Sequence, residues 1–128
     1  MSKQTLAVLP MEFTIHSLDS DATIPEEVLS SPLFFLGKTS EELSIVVPSN
    51  VPVESLDSDV QWRALELIGP LALSMVGIMA QIGDVLAKAK ISIFIVSTFE
   101  TDFFLVKNNK LNDAIRALRK AGYTVNVE

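Results

Sequence analysis

Ile93-Phe94-Ile95-Val96-Ser97-Thr98-Phe99-Glu100-Thr101-Asp102-Phe103-Phe104-Leu105-Val106 is the stretch that decides the fold, because the chain writes it twice. Phe34-Phe35-Leu36-Gly37-Lys38-Thr39-Ser40-Glu41-Glu42-Leu43-Ser44-Ile45-Val46-Val47 runs parallel to it at a constant offset of 59 residues, without a gap. Both stretches read as strand, polar turn, strand, the pattern of a hairpin. A hairpin repeated at this length points to two copies of one small sandwich rather than to a single long fold.

Outward from the second hairpin, Val60 to Leu67 reads as a strand that Gly69-Pro70 breaks. Met75 to Ala89 places apolar residues at helical spacing (Met75, Ile78, Met79, Ile82, Val85, Leu86), with Gly77, Gln81, Asp84 and Lys88 on the other face. Past the hairpin, Asn108 or Asn109 is positioned to cap a helix that buries Leu111, Ala114, Ile115 and Leu118. Arg116, Arg119 and Lys120 suit the negative end of its dipole, and Gly122 supplies a left-handed stop. Val125 and Val127 belong to a last strand. The order is βαββαβ, which folds as an antiparallel sheet with helices on one face, the ferredoxin-like arrangement.

The first copy has the same order in outline. Thr5 to Leu9 and Glu12 to Leu18 read as strands around Pro10, and Ile24 to Leu29 as one helical turn starting at Pro25. Pro52 to Asp59 reads as a linker or short helix. Phe13 to Phe34 is ten residues shorter than the corresponding Trp62 to Ile93, a deficit that removes most of the first helix. The expected architecture is therefore α+β: two tandem ferredoxin-like units, residues 1–58 degenerate with a shortened first helix and residues 59–128 complete.

A hydrophobic share of 48 % in 128 residues is high for so small a chain, so some apolar surface is expected to meet another subunit. The net charge of −6 argues against nucleic acid or an anionic membrane as partner, since both call for a basic face. Without cysteine there is no disulfide and no thiolate metal site. Met1 to Phe13 is too short for a secretory signal, and Ile68 to Ile82 falls short of the roughly 18 residues of a spanning helix. The expectation is a soluble, cytoplasmic protein.

Catalytic signals are weak. His16 is the only histidine and reads as a strand residue, with no nucleophile at an informative spacing. The phosphate loop of a small ferredoxin-like acylphosphatase needs arginine after the first strand, and Gly69 to Gly77 holds no Arg, Lys or His. Asp19, Asp21, Glu26 and Glu27 lack the ligand spacing of a calcium loop and read as a solvated face. Trp62 reads as a packing or interface residue. No enzyme, metal or cofactor is expected.

Trp62-Arg63, Gly69-Pro70-Leu71, Gly77-Ile78, Ile91-Ser92-Ile93-Phe94 and Ser97-Thr98-Phe99-Glu100-Thr101-Asp102, with Thr39 to Val46 in the first copy, carry a resemblance over roughly Leu6 to Val125. In this order they resemble the tandem ACT-domain proteins, in particular the small family that also gives the ACT modules of the cytosolic arginine sensor of the mTOR pathway. The resemblance implies a non-catalytic regulatory module that binds an amino acid between two such domains. The strands Ile91 to Ser97 and Asp102 to Val106 are apolar on both faces and call for cover by the first copy or by a second subunit, so a homodimer is expected, with any output passing to a separate partner protein. The resemblance also implies ligand contacts at Met75, Val76, Gly77 and Ile78, in the loop entering the first helix, and at Ser97, Thr98, Phe99 and Asp102, around the hairpin turn. The chain departs from the family at Val76, where threonine is frequent, and at Lys90, where glycine is usual.

The chemistry of such a site follows from an amino acid's two charges. Unpaired N–H groups at a helix start attract a carboxylate, and Asp102 offers an acceptor to an ammonium. Gly77 removes a Cβ from the approach, and Phe99 covers the aliphatic part. Read without the family, Gly77 is a packing glycine, and Thr98, Glu100 and Asp102 are solvated turn residues. An interaction module that keeps the fold and binds no ligand is the alternative.

Overall fold

The structure, a computed structural model, describes residues 4–68 and 77–127. In chain order these form β1 (Thr5–Leu18), α1 (Glu26–Leu29), β2 (Phe35–Lys38), β3 (Leu43–Pro48), β4 (Asp57–Ile68), α2 (Ile78–Lys88), β5 (Phe94–Ser97), β6 (Asp102–Lys107), α3 (Leu111–Lys120) and β7 (Thr124–Val127). A short 3-10 turn, Asn108–Lys110, leads into α3.

The repeated sequence folds as a repeated hairpin. β2 and β3 begin and end 59 residues before β5 and β6. Their antiparallel registers match as well: Phe35↔Val46 to Lys38↔Leu43, and Phe94↔Leu105 to Ser97↔Asp102. Both turns close in the same way, Thr39 N–H donating to Glu42 O at 2.9 Å and Thr98 N–H to Thr101 O at 2.8 Å. Each threonine hydroxyl accepts from the backbone beyond it: Thr39 Oγ1 from Glu41 and Glu42 at 3.1 Å, Thr98 Oγ1 from Thr101 at 3.1 Å. A hydroxyl that substitutes for backbone partners fixes the turn, and the turn fixes the register.

The chain divides into two compact units, residues 11–62 and residues 1–10 with 63–128. In the smaller unit β1 pairs antiparallel with β3 from Phe13↔Pro48 to Leu18↔Leu43, and β2 lies outside β3. Its apolar core is Leu18, Val28, Leu43, Ile45 and Val47. The deficit of ten residues leaves α1 a single turn of four. A turn that short is unstable alone, and Val28, fully buried, ties it to the sheet.

In the larger unit α2 and α3 cover one face of β4 and β6. Leu65, Leu67, Phe104 and Val106 meet Ile82, Leu86, Ala114, Ile115 and Leu118 there. Leu6, Val8 and Val125 join the same core, because β7 pairs in parallel with the head of β1, Thr5↔Thr124 to Val8↔Val127. The sheet is thus antiparallel in both hairpins and parallel where β7 meets the head of β1. The first strand of the chain is built in beside the last.

Several boundaries differ from the sequence reading. β1 is continuous through Pro10, and β4 starts at Asp57, where a linker or helix was expected. α2 begins at Ile78 rather than Met75, behind left-handed Gly77; Met75 lies outside the described residues. Neither Asn108 nor Asn109 caps α3. The cap position is Lys110, with no side-chain bond, while Asn108 Oδ1 accepts from Arg63 Nη1 at 3.4 Å. The far end of α3 is as expected, with Gly122 at φ 102°. Gly122 N–H donates to Arg119 O and Tyr123 N–H to Leu118 O, both at 3.0 Å, the bond pair of a left-handed helix stop.

Candidate functional site

Alternation along β6 sets the orientation of Asp102. Phe104 and Val106 face the helices, and side chains two apart share a face. Asp102, two residues before Phe104, therefore heads the helix-facing row. Ser97 is its direct partner in register, so it lies on that face too, after Ile93 and Ile95, which pack on the core. The same place in the other hairpin is held by Leu43, 2 % exposed and part of an apolar core. At the end of the larger unit's apolar layer the chain has substituted a half-buried carboxylate for its own buried leucine.

The turn is anchored next to the strand that leads toward α2. Thr101 Oγ1 donates to the carbonyl of Leu67, the penultimate residue of β4. Thr98 is occupied in closing the turn. Phe99, at the tip, is 80 % exposed, where the other hairpin has Ser40. Nothing in the turn's hydrogen bonding calls for an aromatic side chain, and an exposed aromatic of this size ordinarily has a surface to cover.

Gly77 stands at φ 83°, and a Cβ built on it would meet nothing within 4 Å. Its glycine is set by backbone conformation, not by crowding. Gly77 O accepts from Gln81 N–H at 2.8 Å, the bond that starts α2. The first-turn N–H groups of Ile78, Met79 and Ala80 precede that bond and are the donors a helix start leaves over. The Ile78 side chain is half-buried against the core, and the polar group it can offer a ligand is its backbone N–H. Met75 and Val76 lie outside the described residues. The structure thus brings Ser97, Thr98, Phe99 and Asp102 together around one turn, and that turn against the end of β4.

A contact that sequence reading missed lies in the smaller unit. His16, 8 % exposed, bonds through Nδ1 to Ser55 Oγ at 2.9 Å. The pair is 39 residues apart, and no local pattern announces it. Burial holds the imidazole pKa below its ordinary 6.5. Leu56 N–H to Ser17 O at 2.9 Å and Thr14 Oγ1 to Ser49 Oγ at 2.8 Å fasten the same segment to β1. Beside it is an open depression of about 290 Å³ lined by Leu18, Asp19, Ala22, Glu54, Ser55 and Leu56. Among the described residues no three His, Cys, Asp or Glu side chains are grouped to hold a metal, and no helix is long and apolar enough to cross a membrane.

Two helices on one face of β4 and β6, and a hairpin turn tied to the end of the strand before the first long helix, make the ferredoxin-like arrangement. The chain belongs to the ACT domain family, whose model matches residues 57–120; ACT domains are in general regulatory modules for small molecules. The human cytosolic arginine sensor for mTORC1 subunit 1 is 32 % identical over 118 residues, which is 84 % of this chain and 36 % of that protein. The chain therefore spans about a third of the length of this relative. The crystal structure of protein Atu0741 from Agrobacterium tumefaciens superposes with a TM-score of 0.91 at 28 % identity, covering 100 % of this chain and 96 % of that one. The regulatory subunit of aspartate kinase from Thermus thermophilus, in its ligand-free form, shares the fold at a TM-score of 0.65 and 12 % identity, over 94 % and 99 % of the two chains.

Proposed function

We propose that this protein is a regulatory amino-acid-binding module without catalytic activity, made of two ACT units in tandem, residues 1–58 and 59–128 in sequence, with the first ten residues folding into the second unit. The ligand site is the end of the helix-facing layer, at Ser97, Thr98, Phe99 and Asp102, with the entry to α2 at Met75, Val76, Gly77 and Ile78. The observation that carries this reading is Asp102, a carboxylate in the row position that the repeat fills with buried Leu43. In this reading Asp102 takes the ammonium, while the leftover N–H groups of α2 take the carboxylate. Phe99 covers the ligand from the exposed tip, and a second copy completes the site at an ACT–ACT interface. The homodimer passes the signal to a separate protein in the cytoplasm. The arginine sensing in the name of the human relative supports the ligand class.

Each common amino acid, added at 1 mM, tests this by thermal shift and calorimetry. One or more is expected to stabilise the wild type and not Asp102→Ala, with the mass of the assembly unchanged. If no amino acid binds, the site reading falls. The alternative, an interaction module without a ligand, is favoured by the exposure of Phe99. It predicts that Phe99→Ala weakens association while amino acids have no effect.

A further inference from the structure

Charge is segregated along this chain. Residues 11–62 hold ten carboxylates and one lysine, a net −9. The larger unit holds nine Lys and Arg and six carboxylates, a net +3, and together they make the −6 of the whole. Half the basic residues fall between 107 and 120. α3 turns Leu111, Ala114, Ile115 and Leu118 to the core and leaves Lys110, Arg116, Arg119 and Lys120 exposed. Arg116 is paired with Asp113, and Arg119 donates to Val125 O at 2.6 Å. Lys110 and Lys120 have no ion-pair partner among the described residues.

The smaller unit presents the complement. Asp19, Asp21, Glu26, Glu27 and Glu54 are exposed, and none is in an ion pair among the described residues. Asp19 and Glu54 border the depression of about 290 Å³ that Leu18, Ala22 and Leu56 also line. Leu56 is 73 % exposed. An apolar centre inside a charged rim has the make-up of a protein interface, and a concentration of like charge is relieved when an opposite patch meets it.

We propose that the basic outer face of α3 docks on the acidic surface around Asp19 and Glu54 of a second copy of this chain. The second copy is the occupant because one sequence supplies both halves, a negative patch around an exposed leucine and a positive helix face. The contact joins two different patches, so a pair closes only when both contacts form reciprocally, and otherwise the assembly extends. The inference rests on the self-association in the function proposed above and on nothing about the ligand.

The test is the solution mass in 0.05 M and 1 M NaCl, where the screening length is about 14 Å and 3 Å respectively. The samples are the wild type, Lys110→Glu with Lys120→Glu, Asp19→Lys with Glu54→Lys, and an equimolar mixture of the two variants. All four positions are exposed, and circular dichroism checks that each variant is folded. The wild type is expected to associate at low salt and to approach the 14.0 kDa of one chain at high salt. Each variant alone stays monomeric, and the mixture associates again at low salt, since each reversed patch then meets its complement. A wild-type dimer indifferent to salt and to both reversals overturns this surface while leaving self-association intact. Single chains under every condition overturn both. Binding of a basic foreign protein or a small cation to the acidic patch, with the wild type monomeric, also overturns it.

Discussion

Lys90 has φ 62°, a conformation that glycine adopts without a Cβ penalty. It terminates α2 as Gly122 terminates α3, with Lys90 N–H donating to Ala87 O at 2.9 Å and Ile91 N–H to Leu86 O at 3.0 Å. The departure from the family's usual glycine therefore falls on a left-handed residue. Lys90→Gly is expected to stabilise the fold by about 0.5–1 kcal/mol, the left-handed penalty less the added chain entropy of glycine. A urea midpoint that rises at unchanged slope is the readout. Asp102 is the second informative residue. Because the repeat buries Leu43 there, Asp102→Leu should raise stability, by on the order of 1 kcal/mol of apolar burial, and abolish amino-acid binding. That opposition is what the proposed function requires of a position that trades stability for binding. Melting curves with and without ligand measure both effects, and a Leu variant that still binds would remove Asp102 from the site.

At the scale of elements, the two hairpins share bounds, register and turn bonds but differ in their attachments. The Thr101 hydroxyl ties the second turn to Leu67, whereas Glu42, at the equivalent place, accepts from Ser44 Oγ at 3.2 Å. Thr101→Val removes that tie and is expected to cost about 0.5–1.5 kcal/mol, with a further loss of ligand affinity as the turn loosens; calorimetry separates the two. In the smaller unit the strap around Ser55 closes on a buried imidazole. His16 has a folded pKa below its unfolded value, so the unfolded chain binds the extra proton. Its contribution is fully present above about pH 6.5 and is lost as the pH falls toward the folded pKa. Urea midpoints from pH 8 to pH 5 should decline less steeply for His16→Asn than for the wild type. Parallel curves would show that His16 does not set the acid limit.

For the whole molecule, the measurable consequence of a regulatory site is linkage. A ligand at a hundred times its dissociation constant adds about 2.7 kcal/mol to stability. The added stability should track ligand concentration and vanish in Asp102→Ala. Burial bears on assembly at this scale too. Phe103 and Leu105 on one face of β6, and Phe104 and Val106 on the other, are at most 5 % exposed within a single chain. Strands apolar on both faces call for cover on both, and β6 has it within a single chain, while β5 stays half-buried.

Local physics wrote the hairpins, the turn threonines, the buried face of α3 and the stop at Gly122 into the sequence, because alternation, helical spacing and turn chemistry each act over a few neighbours. The second turn was legible for the same reason, whereas its residues as ligand contacts came from the family resemblance alone. The tertiary structure alone decided which strands are neighbours. It carried β1 unbroken through Pro10, laid its head along β7 and joined His16 to Ser55, since such pairings depend on the burial available to distant segments and leave no local period. Asp102 required both: the sequence put a carboxylate beside the turn, and the register with Ser97 fixed the face on which it stands.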